Sequence, residues 1–318
     1  MKTFMAWTQR VRRTPKFPFA VLMGCLMGFS GSLVDSKTLS AQELGESSEI
    51  KIVIIGATAR TANYMIPQAL WRGYEVVAVA RRPYRVRHKP HPRLTIVKGD
   101  VYDQASIEAA LSGDGDEIVI SVYGPRVDPT VEIPETDLMS QGTTNIINAM
   151  KAKGNRRLFA TTSTAMQEVV RRGYKADTPK PEGVTATSGL WFYNLRGPYN
   201  DMLKLEGIVK KSGLDFIIFR PGQLMEDPPL GNLKLAVNTE TPNRRIIMYS
   251  DFAALLLDQV ESNQYIGDTV GVYSNTTMDE VENVSFEAAV KKLRAMKAEV
   301  DADLAADAAA AKAEKAAE

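Results

Sequence analysis

Lys51-Ile-Val-Ile-Ile-Gly-Ala-Thr-Ala-Arg-Thr-Ala62 reads as a buried strand, a glycine turn and the first turn of a helix. Ile52 to Ile55 are apolar and β-branched without alternation, the pattern of a parallel strand covered on both faces. Gly56 permits the sharp turn, and Ala62, Met65, Ile66, Ala69 and Leu70 then recur at helical spacing. The helix N-terminus faces the strand end, where free amides and the helix dipole favour a pyrophosphate. Gly73 marks the helix end, and Glu75 to Ala80 form a second strand. The spacing is that of G-x-x-G-x-x-G, with Ala59 and Ala62 in place of the later glycines; each methyl narrows the approach of phosphate or strand.

Outward from this unit, Arg81-Arg82 follows the second strand, where a dinucleotide fold meets the adenosine ribose. An acid there would accept from a free 2′-hydroxyl, whereas arginine suits a 2′-phosphate, so NADP is preferred over NAD. The alternative is a solvated basic loop of Arg81, Arg82, Arg85, Arg87 and Lys89. Leu94 to Val97 is a third strand ending in Gly99-Asp100-Val101, and Glu117 to Val122 a fourth ending in Tyr123-Gly124-Pro125-Arg126. The fold class is α/β, a Rossmann-like doubly wound parallel sheet in a single domain with a small C-terminal substrate lobe.

Asp137 to Lys153 reads as a helix with Leu138, Ile146, Ile147 and Met150 inward, and Arg157 to Thr162 as the fifth strand, ending in a hydroxyl cluster that makes Ser163 a site candidate. The alternative for Ser163 is a turn whose hydroxyls satisfy local backbone. Residues 167–190 show no clear period and read as an excursion over the site, followed by Trp191-Phe192-Tyr193, either a wall for a flat substrate or an anchor for the loop. The remaining elements are a helix Asn200 to Lys211, a strand Asp215 to Arg220, two short strands within Leu233 to Met248, a helix Asp251 to Glu261 capped by Ser250, and a strand Thr269 to Tyr273.

With 318 residues, 44% of them apolar, the chain can bury a full core. A net charge of +1 gives no general attraction for nucleic acid, and both histidines, His88 and His91, lie in one proline-rich loop, so neither a metal site nor a histidine triad is expected. Arg10, Arg12, Arg13 and Lys16 precede an uncharged run from Phe17 to Val34 and a small-residue stretch near Ser40-Ala41. Residues 1–45 therefore read as an export signal, giving a periplasmic or secreted protein; the alternative is a membrane anchor through residues 17–34. Cys25, the one cysteine, stands at the end of a lipobox-like Leu22-Met-Gly-Cys25. Residues 46–275 form the dinucleotide-binding domain and 276–318 a C-terminal helix with a charged Ala-rich tail, whose stripe over 286–304 could pack on the domain or join two subunits.

Residues 51–275 resemble the atypical short-chain dehydrogenase/reductases, in the NAD(P)H-binding group that includes NmrA-like proteins and the flavin reductase/biliverdin reductase B type. The carriers are Gly56-Ala-Thr-Ala-Arg-Thr, Gly73-Tyr-Glu-Val, Ala80-Arg81, Gly99-Asp-Val-Tyr, Gly124-Pro-Arg126, Met139-Ser-Gln-Gly-Thr-Thr-Asn-Ile, Asn148-Ala-Met-Lys-Ala-Lys-Gly154, Thr162-Ser163, Lys211-Ser-Gly-Leu214 and Asp227-Pro-Pro-Leu-Gly231, in this order. The resemblance implies NADPH with Gly56, Thr58, Ala59, Arg60 and Thr61 around the pyrophosphate, and Arg81 and Arg82 at the 2′-phosphate. It also implies Asp100 and Val101 beside adenine and Gly124 and Arg126 near the nicotinamide half. Ser163 and Tyr193 are then the candidate catalytic residues in the pocket of a planar acceptor, where proximity and orientation carry most of the rate.

The chain departs from the family in two ways. It has no Tyr-x-x-x-Lys, so the usual acid of carbonyl-reducing relatives is missing, and the histidines of the biliverdin/flavin type align with Met202 and Gln223. The expectation is an NADPH-dependent oxidoreductase acting on a flavin, quinone or other flat acceptor; the competing reading is a non-catalytic NADP(H)-binding sensor or assembly factor of NmrA-like type.

Overall fold

The computed structural model describes residues 48–277 apart from 126–130, 186–188, 227 and 243–244, together with Ala302, Ala305 and Ala309. The 1–45 segment with Cys25 and the tether at 17–34, Arg126, and all but one residue of the 286–304 stripe lie outside the described residues.

The chain runs β1 (Lys51–Ile55), α1 (Arg60–Trp71), β2 (Glu75–Ala80), β3 (Leu94–Lys98), α2 (Gln104–Ala110), β4 (Ile118–Ser121), α3 (Leu138–Lys153) and β5 (Arg157–Thr161). It continues through α4 (Ala165–Arg172), α5 (Leu190–Asn194), α6 (Arg196–Lys210), β6 (Asp215–Pro221), β7 (Gln223–Met225), β8 (Lys234–Val237), β9 (Ile246–Met248), α7 (Tyr249–Val260) and β10 (Thr269–Tyr273). Eight strands form one sheet in the order β3-β2-β1-β4-β5-β6-β10-β8, parallel except for β8 at the edge, and β7 pairs with β9 in a two-stranded ribbon. The order reverses between β1 and β4, so the crevice at their C-terminal ends is the switch point where such sheets bind ligands.

Alternation along the strands feeds two cores. Ile52, Ile54, Val76, Ala78, Ile120, Phe159 and Phe219 pack under α1 and α7, while Val53, Ile55, Val77, Val79, Val119 and Leu158 pack under α2, α3 and α6. Burial on both faces is why β1 reads as an unbroken apolar run.

Four local readings are corrected. Residues 167–190 are not all loop: α4 occupies the first part, burying Met166 and Val169 while Glu168 pairs with Arg171 and Arg172. Helix α6 begins at Arg196, because Pro198 falls in its first turn, where no amide partner is lost. Ser250 does not cap α7; it lies inside the first turn, after the N-cap residue Met248, and its hydroxyl is buried without a partner among the described residues. Strand β7 directly after Pro221-Gly222 was not anticipated.

Candidate functional site

The turn after β1 is fixed by three backbone bonds: the Gly56 and Ala57 amides donate to the Val79 carbonyl at 3.1 and 3.0 Å, and the Ala59 amide to the Gly56 carbonyl at 2.8 Å. Gly56 has φ +93°, and a Cβ there would stand 2.6 Å from the Tyr123 amide nitrogen. The first backbone bond of α1 runs from the Asn63 amide to the Ala59 carbonyl, and the amides of Thr58, Thr61 and Ala62 donate to nothing among the described residues. These are the donors that a helix N-terminus offers to an anion. The Ala62 methyl is wholly buried in the core and Ala59 packs against it, so both substitutions point into packing space. Arg60 reaches Glu226, Nε to carboxylate 3.4 Å.

Toward the sheet edge, Arg81 leaves the end of β2 exposed, and Arg82 precedes a short 3-10 turn. Gly99 is wedged under Val79, whose Cγ1 would be 2.6 Å from an added Cβ. The Asp100 carboxylate accepts from the Tyr102 amide at 3.0 Å; Val101 is buried and its carbonyl accepts from Asn145 at 2.8 Å. Arg81, Lys98, Gly99, Asp100, Asp103, Ser106 and Ala109 line a cavity of about 350 Å³.

In the crevice itself, the Tyr123 hydroxyl donates to the Met139 carbonyl at 3.0 Å and lies 3.1 Å from Thr143 Oγ1; burial raises its pKa. Gly142 of α3 allows this approach, since a Cβ would sit 2.6 Å from the Tyr123 hydroxyl. Gly124 is exposed, with nothing within 4 Å of an added Cβ. At the end of β5, Thr162 Oγ1 donates to Glu206 at 3.0 Å, and Glu206 is held by Arg220 through bonds of 2.7 and 2.5 Å. Ser163 Oγ accepts from the Ala165 amide at 3.2 Å, which leaves its proton available to donate. Thr161 Oγ1 is buried and has no partner among the described residues.

The family model for NAD(P)H-binding proteins matches residues 56–263. The chain belongs to this NAD(P)H-binding family. An uncharacterized chloroplastic protein of Arabidopsis thaliana is 29% identical over 191 residues, covering 58% of this chain and 62% of that protein. Tetraketide alpha-pyrone reductase 1 of the same plant is 23% identical over 145 residues, 42% of this chain and 44% of the relative. The chain thus spans between two fifths and two thirds of these relatives' lengths. Among solved structures, the anaerobillin reductase ChuY of Escherichia coli O157:H7 aligns with TM-score 0.55 at 17% identity, over 71% of this chain and 97% of that one. A short-chain dehydrogenase/reductase of Veillonella parvula in complex with NADP gives TM-score 0.53 at 16% identity, over 72% and 96%. At these identities the structural likeness is one of fold.

The loop candidates Gly56, Thr58, Ala59, Arg60 and Thr61 lie between β1 and α1 at the crevice, and Arg81, Asp100 and Val101 follow the ends of β2 and β3. A nicotinamide dinucleotide fits what is present: a turn that a Cβ would block, open amides at α1, a cavity lined by Arg81 beyond β2 and β3, and an orphaned hydroxyl at the end of β5. Tyr193 is placed differently from Ser163. It is buried against Val169 and Tyr174, its hydroxyl bonds the Thr178 carbonyl and Glu132 at 3.2 Å each, and Arg196 stacks on its ring at 4.1 Å. These contacts give it the anchoring role. Arg196, itself buried, donates to the Lys175, Ala176 and Tyr193 carbonyls and to Glu132 at 2.7 Å, tying residues 174–178 to the strap at 131–135. The roles of two residues escaped the sequence reading. Thr161 belongs to the hydroxyl cluster read at the end of β5, but its orphaned hydroxyl is visible only in the packed structure, and Tyr123, tied to α3, belongs to no glycine motif.

Proposed function

We propose that the protein is an NADPH-dependent reductase that transfers hydride to a flat acceptor such as a flavin or quinone. The observation that carries this reading is that the Thr58, Thr61 and Ala62 amides stand open at the N-terminus of α1 while Arg81 lines a cavity at the end of β2, donors suited to a pyrophosphate and to an extra phosphate on the adenosine ribose. Reductase names among the relatives support the reaction class.

When bound, the nicotinamide supplies the hydride. The chain's own residues bind and orient. The α1 amides hold the pyrophosphate, Gly56 keeps the loop tight on β4, and Tyr123, fixed to α3, sets the floor of the crevice. Ser163, just beyond β5, can donate a hydrogen bond to an acceptor oxygen or nitrogen, and Thr161 carries a second hydroxyl at the end of that strand. Without the Tyr-x-x-x-Lys acid, an acceptor that takes hydride into a delocalised ring system suits the site better than a simple ketone.

The test is NADPH absorbance followed with the full chain and FMN, a small quinone or biliverdin as acceptor, after binding has been measured by nicotinamide fluorescence. Oxidation with at least one acceptor, lost in Arg81→Ala, is the expected result. Binding without turnover would overturn the reductase reading in favour of an NADP(H)-binding sensor.

A further inference from the structure

Arg220, near the C-terminal end of β6, is the register partner of Gly271 on β10. Ile217, Phe219, Val270 and Val272 belong to the core under α1 and α7, so by alternation Arg220 and the missing side chain of Gly271 lie on the opposite face, under α6. There the buried Glu206 of α6 accepts from Arg220 Nε at 2.7 Å and Nη2 at 2.5 Å and from the Thr162 hydroxyl at 3.0 Å, and pairs with the Lys210 ammonium at 3.8 Å. Its carboxylate is fully used, whereas the third guanidinium nitrogen, Nη1, has no partner among the described residues. The Arg220 side chain is 19% exposed, so this pair is not sealed from solvent. One strand over, about 5 Å away laterally, Thr241 fills the space that a side chain on Gly271 would need. The Thr241 hydroxyl donates to Gln167 Oε1 at 2.9 Å and so holds the oxygen end of that amide. Gln167 lies in the first turn of α4, four residues beyond Ser163, and is 9% exposed; its Nε2 is buried with no partner among the described residues. An amide donor left dry and unpaired is costly and rare. The face therefore carries two donors without an acceptor, and Arg220 and Lys210 outnumber Glu206 by one charge. A carboxylate, with two oxygens and one negative charge, matches that pair of donors.

We infer that the flat acceptor carries a carboxylate, whose oxygens are bound by Gln167 Nε2 and Arg220 Nη1. Thr241 orients Gln167 and Glu206 orients Arg220, so the two donors are specificity determinants held in place by the fold. The inference rests on the reading that the protein is a reductase, and it names the class of acceptor that the reductase takes.

The experiment measures kcat/KM with the full chain and NADPH for a naphthoquinone bearing a carboxyethyl arm and for its methyl ester. It compares the wild type with Gln167→Met, Gln167→Glu and the double variant Gln167→Met/Thr241→Val, which leaves no hydroxyl stranded if the single change unsettles the fold. The wild type is expected to favour the acid by about tenfold. That ratio falls to near one in both Met variants and inverts in Gln167→Glu, where like charges meet, while the dissociation constant for NADPH, read by nicotinamide fluorescence, stays at the wild-type value. The ratio separates recognition of the carboxylate from a general loss of structure, which would lower acid and ester together. Equal turnover of acid and ester by the wild type would overturn the inference and leave the reductase reading standing, as would a preference for the acid that survives in the double variant. A loss of NADPH affinity that accompanies the lost ratio would also overturn it, since Gln167 would then shape the cofactor site. Turnover of neither quinone, nor of FMN, would remove the reductase reading and the inference with it.

Discussion

The backbone of Tyr123 at the end of β4 occupies the space that a side chain on Gly56 would need, 2.6 Å from the position of its Cβ. Across the switch point, the two strand ends are thus locked together by the absence of one methyl group, and the phosphate loop is built on that contact. Gly56→Ala is expected to lose cofactor binding and to cost ~1–3 kcal/mol through clash and a positive φ that alanine resists. Thermal unfolding and nicotinamide fluorescence of the variant measure the two effects separately.

Asp201, fully buried on α6, accepts from the Met139 amide at 2.7 Å, the Ser140 amide at 3.2 Å and the Ser140 hydroxyl, and so caps α3 from a neighbouring helix. Asp201→Ala strands the Met139 amide in a dry interior, and a loss of ~2 kcal/mol is expected. Urea denaturation reads it. An unchanged midpoint would mean that water replaces the carboxylate.

The Glu132–Arg196 contact gives a pH dependence with a definite sign. The Arg196 guanidinium holds the Glu132 carboxyl below its ordinary value of 4.5. A carboxyl depressed in the folded state adds stability above its unfolded pKa, and that contribution is lost as pH falls through the folded value. Glu132→Gln should therefore lower the unfolding temperature slightly at neutral pH and converge on the wild type in acid below about 4. The effect is small, because Glu132 is 44% exposed and screened. A difference that grew toward acid pH would contradict the assignment.

Ser163 tests how much acid–base work the site performs. If orientation carries the rate, Ser163→Ala lowers kcat by less than about tenfold, or ~1.4 kcal/mol, with unchanged NADPH affinity. A drop of several hundredfold with a shifted pH profile would instead make Ser163 a proton donor in the reaction.

The sheet was legible because its strands advertise themselves: β2 and β10 keep the bounds read from their apolar runs, and the switch point follows from β1 and β4. What escaped was decided by tertiary contacts. Helix α4 hides its period because it is short and rich in charge, and a polar residue, Gln167, is buried beside Met166 and Val169. The helix read from Asn200 begins earlier, at Arg196, because Gly197 has no side chain to meet the Ile133 carbonyl, which would stand 2.6 Å from its Cβ, and Pro198 is harmless in a first turn. Asp251, the first residue of the helix read after Ser250, turns its carboxylate to the Leu230 and Gly231 amides, a contact between distant segments. In the site, Gly56, Arg81 and Ser163 stood out in the sequence, whereas the contact of Tyr123 with α3 at Gly142 depends on which elements lie side by side.

The most direct measurement is a single turnover with protein in excess of NADPH, so that every cofactor molecule is bound, followed by nicotinamide absorbance after FMN or a small quinone is added. Hydride transfer to a flat acceptor gives a decay whose rate rises and saturates with acceptor concentration. Bound NADPH that keeps its fluorescence and stays reduced with every flat acceptor would contradict it.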